Sequence, residues 1–212
     1  MTERQLRTAQ ALQRALADRE PARLEAPQAR PAAVLMPLWD QGRGVQVVFT
    51  KRTEQLPTHA GQISFPGGAR DPEDGDLEFT ALRETCEEIG VCGRAVDVLA
   101  RLDQVVTVTN YLVTPFIGLL APGVEFSPNP VEVERLVIVP LAKVLDRASY
   151  RPTEVTWRGV SFEQEALNHN GDLIWGATAR ILLNLLDALG PAAREVAAAA
   201  GGPGGPGPKN VA

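Results

Sequence analysis

Apolar positions recur along this chain with two different periods, and the switches between them divide it into elements. Over residues 3–18, Leu6, Ala9, Leu12 and Leu16 follow the spacing of a helix with one apolar face. Pro21, Pro27 and Pro31 end that pattern and make a short linker. Ala32–Leu38 and Val45–Thr50 are β-rich runs separated by the turn-forming stretch Asp40 to Gly44, which predicts a hairpin. A loop-rich segment, Leu56–Asp76, leads into Leu77–Ile89, which reads as a helix with Asp74 or Asp76 as its cap and Gly90 as its stop. Val96–Val108 and Tyr111–Leu120 are β-rich and joined by a turn around Asn110. A strand over Arg135–Val139, a short helix near Leu141–Leu145 and a hairpin over Tyr150–Phe162 follow. Leu173–Leu189 is a long helix, with Leu182, Leu183, Leu185 and Leu186 expected in the core. From Ala192 the composition collapses to Ala, Gly and Pro, so residues 191–212 are expected to form a frayed or disordered tail.

Strands, one central helix, more strands and a closing helix predict the α/β class, with a mixed sheet rather than a doubly wound parallel one. Residues 30–190 make the expected main domain, preceded by a helix and linker over 1–29. The 212-residue length and 44% hydrophobic content suffice for one buried core and argue against wholesale disorder. A net charge of −5 supplies no general field for nucleic acid, so an anionic ligand must be held by local cations or by metal. Long RNA or DNA is therefore disfavoured as a partner, whereas a single nucleotide is not. Cys86 and Cys92 match no zinc-ribbon or redox-pair spacing, and Cys86 reads as a buried thiol on an apolar helix face. With a polar N-terminus and no apolar run near the roughly 20 residues that span a bilayer, the expected location is cytoplasmic, with no membrane association.

The chemistry concentrates on the central helix. Glu84, Glu87 and Glu88 stand at i, i+3 and i+4 and share one face within a turn. Phe79, Leu82, Cys86 and Ile89 fall on the other face, which is expected to pack into the core. Neighbouring carboxylates repel by roughly a few tenths of a kcal/mol per pair, and the negative end of the helix dipole adds to the cost. A hard divalent cation, Mg²⁺ or Mn²⁺, would relieve that repulsion. Standing alone, such a triplet is more often a solvated acidic face.

Its surroundings change that weighting. Gly67-Gly68 opens the loop before the helix, and the helix carries Arg83-Glu84-Thr85-Cys86-Glu87-Glu88-Ile89-Gly90-Val91. This string resembles the Nudix box, G-x5-E-x7-R-E-U-x-E-E-x-G-U. The loop from Gly68 to Arg83 is one residue longer than the usual box, so Gly75 stands where the upstream Glu belongs. Glu73 or Asp74 is left to take that structural place, and Thr85 replaces an aliphatic residue. Upstream, Thr50, Arg52, Gly61, Phe65, Pro66, Gly67 and Gly68 are similar to the signature of the coenzyme A diphosphatase subfamily. Thr53 is a mild departure from that signature, and Pro57 replaces an expected Arg or Lys.

The resemblance implies an α/β/α sandwich with a mixed sheet. It also implies a Mg²⁺- or Mn²⁺-dependent cut of coenzyme A to 3′,5′-ADP and 4′-phosphopantetheine. Glu84 and Glu88 would be the main metal ligands, the Gly68 carbonyl another, and Glu87 a third carboxylate ligand or the base, with Arg83 beside them. Lys51, Arg52 and Arg70 are candidate phosphate contacts, each equally readable as a surface cation. Glu132 is a second candidate base, though a plain surface glutamate is the commoner reading. His59 would polarise a phosphate or simply fix its loop, and Trp175 reads as core rather than as a stacking platform. An ADP-ribose or NADH diphosphatase is the nearest alternative, and a non-catalytic binding module of the same fold is the more distant one. NADH enzymes of the family carry a zinc-binding cysteine set that two cysteines cannot supply.

Overall fold

The structure, a computed structural model, describes residues 1–55, 60–157 and 159–201. Pro57 and His59 therefore lie outside the described residues. The chain runs α1 (Glu3–Leu16), β1 (Arg30–Asp40), β2 (Val45–Arg52), β3 (Ile63–Ser64), β4 (Gly67–Ala69), α2 (Leu77–Ile89), β5 (Val96–Arg101), β6 (Val105–Val106) and β7 (Tyr111–Leu120). It continues through β8 (Val133–Pro140), α3 (Leu141–Val144), β9 (Tyr150–Trp157), β10 (Val160–His169), β11 (Asp172–Ile174), α4 (Gly176–Leu189) and α5 (Ala193–Ala200).

The predicted hairpin forms, pairing Leu38 with Val47 and Asp40 with Val45. β1 also runs parallel to β7, from Arg30 opposite Tyr111 to Leu38 opposite Leu119, and antiparallel to β4. The sheet is therefore mixed. β1 alternates its side chains between two apolar layers, as strand geometry requires. Ala32, Met36 and Leu38 join the large core beneath α1, α4 and α5, whereas Ala33 and Leu35 face Ala81 of α2. Helices thus cover both faces, giving an α/β/α sandwich. β9, β10 and β11 make a separate antiparallel sheet, tied to the main one where Arg135 of β8 donates to the Asp172 carboxylate of β11 at 3.0 Å.

Three expectations need correcting. The inward face of α2 is not Phe79, Leu82 and Cys86, since Phe79 is 54% exposed and the buried residues are Thr80, Ala81, Thr85, Glu88 and Ile89. Small side chains at Ala81 and Thr85 let the helix lie close on β1, and that approach brings Glu88 inside. The two cysteines are not free thiols: Cys86 and Cys92 are disulfide-bonded, because the left-handed turn at Gly90 (φ 74°) returns the chain toward the helix and leaves their Cα atoms 4.5 Å apart. The tail expected from residue 191 is helical over Ala193–Ala200, with Ala193, Val196 and Ala200 buried. Alanine is the best helix former, and this spacing supplies an apolar stripe that packs in the same core as Ala9 and Leu12 of α1. Residues 202–212 lie outside the described residues.

The loop before α2 is held by one buried ion pair. Asp76 caps the helix by accepting from the Phe79 amide at 2.8 Å. Asp74, only 3% exposed, accepts from Arg83 Nε and Nη2, both at 3.0 Å, and from the Thr80 hydroxyl at 2.8 Å. Asp74 thereby fills the structural place left open by the missing upstream glutamate. The Arg83 hydrogen bonds hold its carboxyl far below the ordinary value of 3.8. A carboxyl depressed in the folded state contributes stability above its unfolded value and loses it as pH falls. In Asp74→Asn, urea unfolding should show lower stability at pH 7, with the gap to the native protein narrowing between about pH 4 and pH 2. A constant gap across that range would show that Asp74 does not act through its charge.

Reduction of the disulfide gives a second expectation. The covalent loop spans only six positions, for which loop-closure entropy predicts about 2 kcal/mol of stabilisation. Urea unfolding with and without a phosphine reductant should differ by that amount or less, with the fold retained.

Candidate active site

β2, β4 and α2 bring the box residues together. Gly68 lies opposite Ala33 in the β1–β4 ladder, and the Glu84 carboxylate packs directly on it: a Cβ at position 68 would fall 2.4 Å from Glu84 Oε1. Any larger residue there would displace that carboxylate. One turn along, Glu88 is 2% exposed, with the Thr50 hydroxyl 3.5 Å from Oε2 and Arg52 Nη1 3.7 Å from Oε1. Thr50 and Arg52 reach Glu88 because they share one face of β2. Lys51, on the other face, pairs with Glu134 at 2.9 Å.

The electrostatics follow from burial. Removal from water pushes the Glu88 carboxyl up to about 8, against the pull of Arg52 and with added repulsion from Glu84 and Glu132. Glu84 is raised as well, first by burial, although Arg83 opposes the shift. Glu132 reaches this group through the β7–β8 loop, which is fastened to both neighbours. The Ser127 and Asn129 amides donate to the Ile89 and Glu88 carbonyls at the end of α2, each at 2.9 Å, and the Thr53 amide donates to the Glu132 carbonyl at 3.0 Å. Gly90 makes room for that loop, since a Cβ there would meet Ser127 Cβ at 2.8 Å.

The other expected residues have different places. Arg83 bonds Asp74, Glu84 and Glu87 at 3.0 Å each and the Ala69 carbonyl at 3.2 Å, so it orders the loop and two carboxylates. Glu87 is held by that pair, with its side chain 54% exposed. Arg70 donates to the Asp74 and Gly75 carbonyls at 2.9 and 3.3 Å, so it braces its own loop. Sequence reasoning placed Trp175 in the core and gave no role to Trp157, Phe162 or Gln164. All four line a cleft of about 480 Å³ shared with Arg52, Phe65 and Gly67. Nothing in the local sequence ties these residues to Arg52, because β9, β10 and the start of α4 bring them beside it from more than 100 positions downstream.

A hard divalent cation suits this arrangement. Glu88 is a buried carboxylate whose positive neighbour is only at ion-pair distance, and Glu84 fills the space that the missing side chain of Gly68 leaves. Carboxylate oxygens, with the Gly68 carbonyl beside them, are the donor type for such ions. Among the described residues, no group of three or more His, Cys, Asp or Glu already converges as a chelate. Arg83 instead engages both Glu84 and Glu87, each at 3.0 Å.

Comparison with known proteins agrees with the box. The model of the NUDIX domain family matches residues 29–158. A protein of Photorhabdus laumondii named as an uncharacterized Nudix hydrolase, NudL, is 40% identical over 156 residues, which are 74% of this chain and 83% of that relative. Its namesake from Yersinia pestis is 35% identical over 156 residues, 74% and 78% of the two chains. The crystal structure of a Nudix hydrolase from Alicyclobacillus acidocaldarius aligns with a TM-score of 0.48 and 20% identity, covering 75% of this chain and 91% of that one. Nudix hydrolases act with divalent metal ions, and among the described residues no helix is long and apolar enough to cross a membrane. On the matched family model and the extent of the NudL likeness, the chain belongs to the Nudix family and is a Nudix hydrolase.

Proposed function

We propose that this enzyme hydrolyses the diphosphate bond of coenzyme A or a derivative of it, releasing 3′,5′-ADP and 4′-phosphopantetheine, with Mg²⁺ or Mn²⁺ held by Glu84 and Glu88. The observation that carries the reading is the position of Arg52, which lies 3.7 Å from Glu88 and also lines the cleft. Arg52, Phe65 and Gly67 belong to the stretch that resembles the coenzyme A diphosphatase signature, and all three line that cleft. A diphosphate placed at Arg52 would have its phosphorus atoms beside the carboxylates and one substituent in the cleft.

A bound divalent cation would offset the diphosphate charge and make an attacking water more acidic. The chain itself has to orient the diphosphate and accept a proton. Arg52 supplies the cationic contact, as a guanidinium suited to phosphate oxygens. Glu132, on the opposite loop, is near enough to Glu84 and Glu88 to repel both, and we assign it as the acceptor of the water proton. Glu87 is tied to Arg83 and stands further from this role. Arg83 is then a positioning residue, setting Glu84 against Gly68.

Two measurements test the reading. Incubation with coenzyme A, NADH and ADP-ribose at mildly alkaline pH with Mg²⁺ or Mn²⁺, followed by chromatography, should show preferential cleavage of coenzyme A. Good cleavage of another compound with coenzyme A left intact would overturn the substrate. Glu88→Gln should lower kcat at least about 100-fold and abolish the rise in Tm that Mn²⁺ gives the native protein. Glu132→Gln should lower kcat by about 100-fold or more while keeping that Mn²⁺ response. Loss of the response in Glu132→Gln would place Glu132 among the metal ligands instead.

A further inference from the structure

The cleft beside Arg52 has an unusual polar inventory. Its walls are mainly apolar, formed by Val106, Val108, Trp157, Phe162, Trp175 and Leu183. Yet two side-chain N–H groups lining it, Arg52 Nε and Gln164 Nε2, are buried and have no hydrogen-bond partner among the described residues. Buried donors without partners are costly, by about 1–3 kcal/mol each, so their persistence in a cleft points to an acceptor supplied from outside. Arg52 belongs to the diphosphate end, since it also faces Glu88. Gln164 belongs to the far wall, on β10 opposite Thr153 of β9.

From this inventory we infer that the cleft takes the alkyl-amide arm of the substrate rather than its nucleoside, and that Gln164 is a specificity residue donating to an amide carbonyl of that arm. The inference rests on the proposed cleavage of coenzyme A. An adenosine moiety would bring ring nitrogens, an exocyclic amine and ribose hydroxyls, which need donors and acceptors together. A pantetheine arm is mostly alkyl, with amide carbonyls spaced along it, and needs an apolar channel with occasional donors. Phe162 at 40% and Val108 at 80% exposure place apolar surface beside the cleft, where the outer end of such an arm would emerge. The wall that carries Gln164 comes from β9 and β10, of which β10 lies beyond the residues matched by the family model.

Binding of products separates this inference from the catalytic one. Trp157 and Trp175 are built-in reporters, so 4′-phosphopantetheine should change tryptophan emission saturably in the full-length protein with no catalysis required. Gln164→Met, which keeps length and removes the donor, should weaken that binding about tenfold, and Gln164→Glu should do the same. With coenzyme A and ADP-ribose as substrates, the ratio of their kcat/KM values should fall about tenfold in both variants, mostly through KM for coenzyme A. Unchanged phosphopantetheine binding in both variants would overturn the role of Gln164. ADP causing the emission change and competing with phosphopantetheine would show that the cleft takes the nucleoside. A native protein that binds phosphopantetheine at this cleft yet leaves coenzyme A intact would sink the proposed reaction while retaining the arm site.

Discussion

Glu88 is held out of water at the inner foot of α2, and the neighbouring structure is arranged around that burial. A carboxylate reaches such a position only if the helix lies close to the sheet. Ala81 and Thr85 allow this by presenting little more than a methyl or a hydroxyl to β1. The Thr85 hydroxyl bonds back to the Ala81 carbonyl at 2.7 Å, so its polarity is satisfied without a partner on the sheet. Gly68 then allows Glu84 to lie flat on β4. The glycines and small residues of the box are thus the steric conditions under which its acids can be brought together.

Two arginines divide the electrostatic work. Arg83 faces the loop and engages Asp74, Glu84 and Glu87, so the lip of the site is ordered before any cation arrives. Arg52 approaches Glu88 from β2 without closing to hydrogen-bond distance, and Glu88 keeps a pKa near 8. A tighter pair would have stabilised the carboxylate, but it would also have competed with a metal ion for the same oxygens. The partial compensation leaves the innermost acid without a close cationic partner, and its burial disfavours the charged form.

Much of this was legible in the chain. The β1–β2 hairpin showed in its Gly-rich turn and paired apolar runs, and α2 showed in its capping aspartate and terminal Gly90. The face that α2 buries did not show, because periodicity weighs side chains by hydrophobicity, whereas here small size decides which face approaches the sheet. Phe79 is apolar and outside; Glu88 is charged and inside. The α5 helix was hidden because an alanine run looks like low complexity until a partner surface exists, and α1 supplies that surface. The disulfide depended on the left-handed turn at Gly90, which spacing alone does not convey. Gln164 and Trp157 could not be found at all, and Trp175 reads as core in the sequence, since their relation to Arg52 exists only once the second sheet has folded against the first.

The β7–β8 loop does two jobs through neighbouring residues, and this limits how it can vary. Ser127 and Asn129 bind the last carbonyls of α2, and Glu132 follows within a few positions, its carbonyl bonded to the Thr53 amide. An insertion at the exposed Pro122-Gly123 turn would be absorbed before Phe126, which packs on Trp39, and the first anchor at Ser127 are reached. An insertion between 127 and 132 would slide the acid relative to the helix or pull the anchors off it. Within one short loop, then, there is a stretch free to drift in length and a stretch whose length is set by the spacing of two fixed walls.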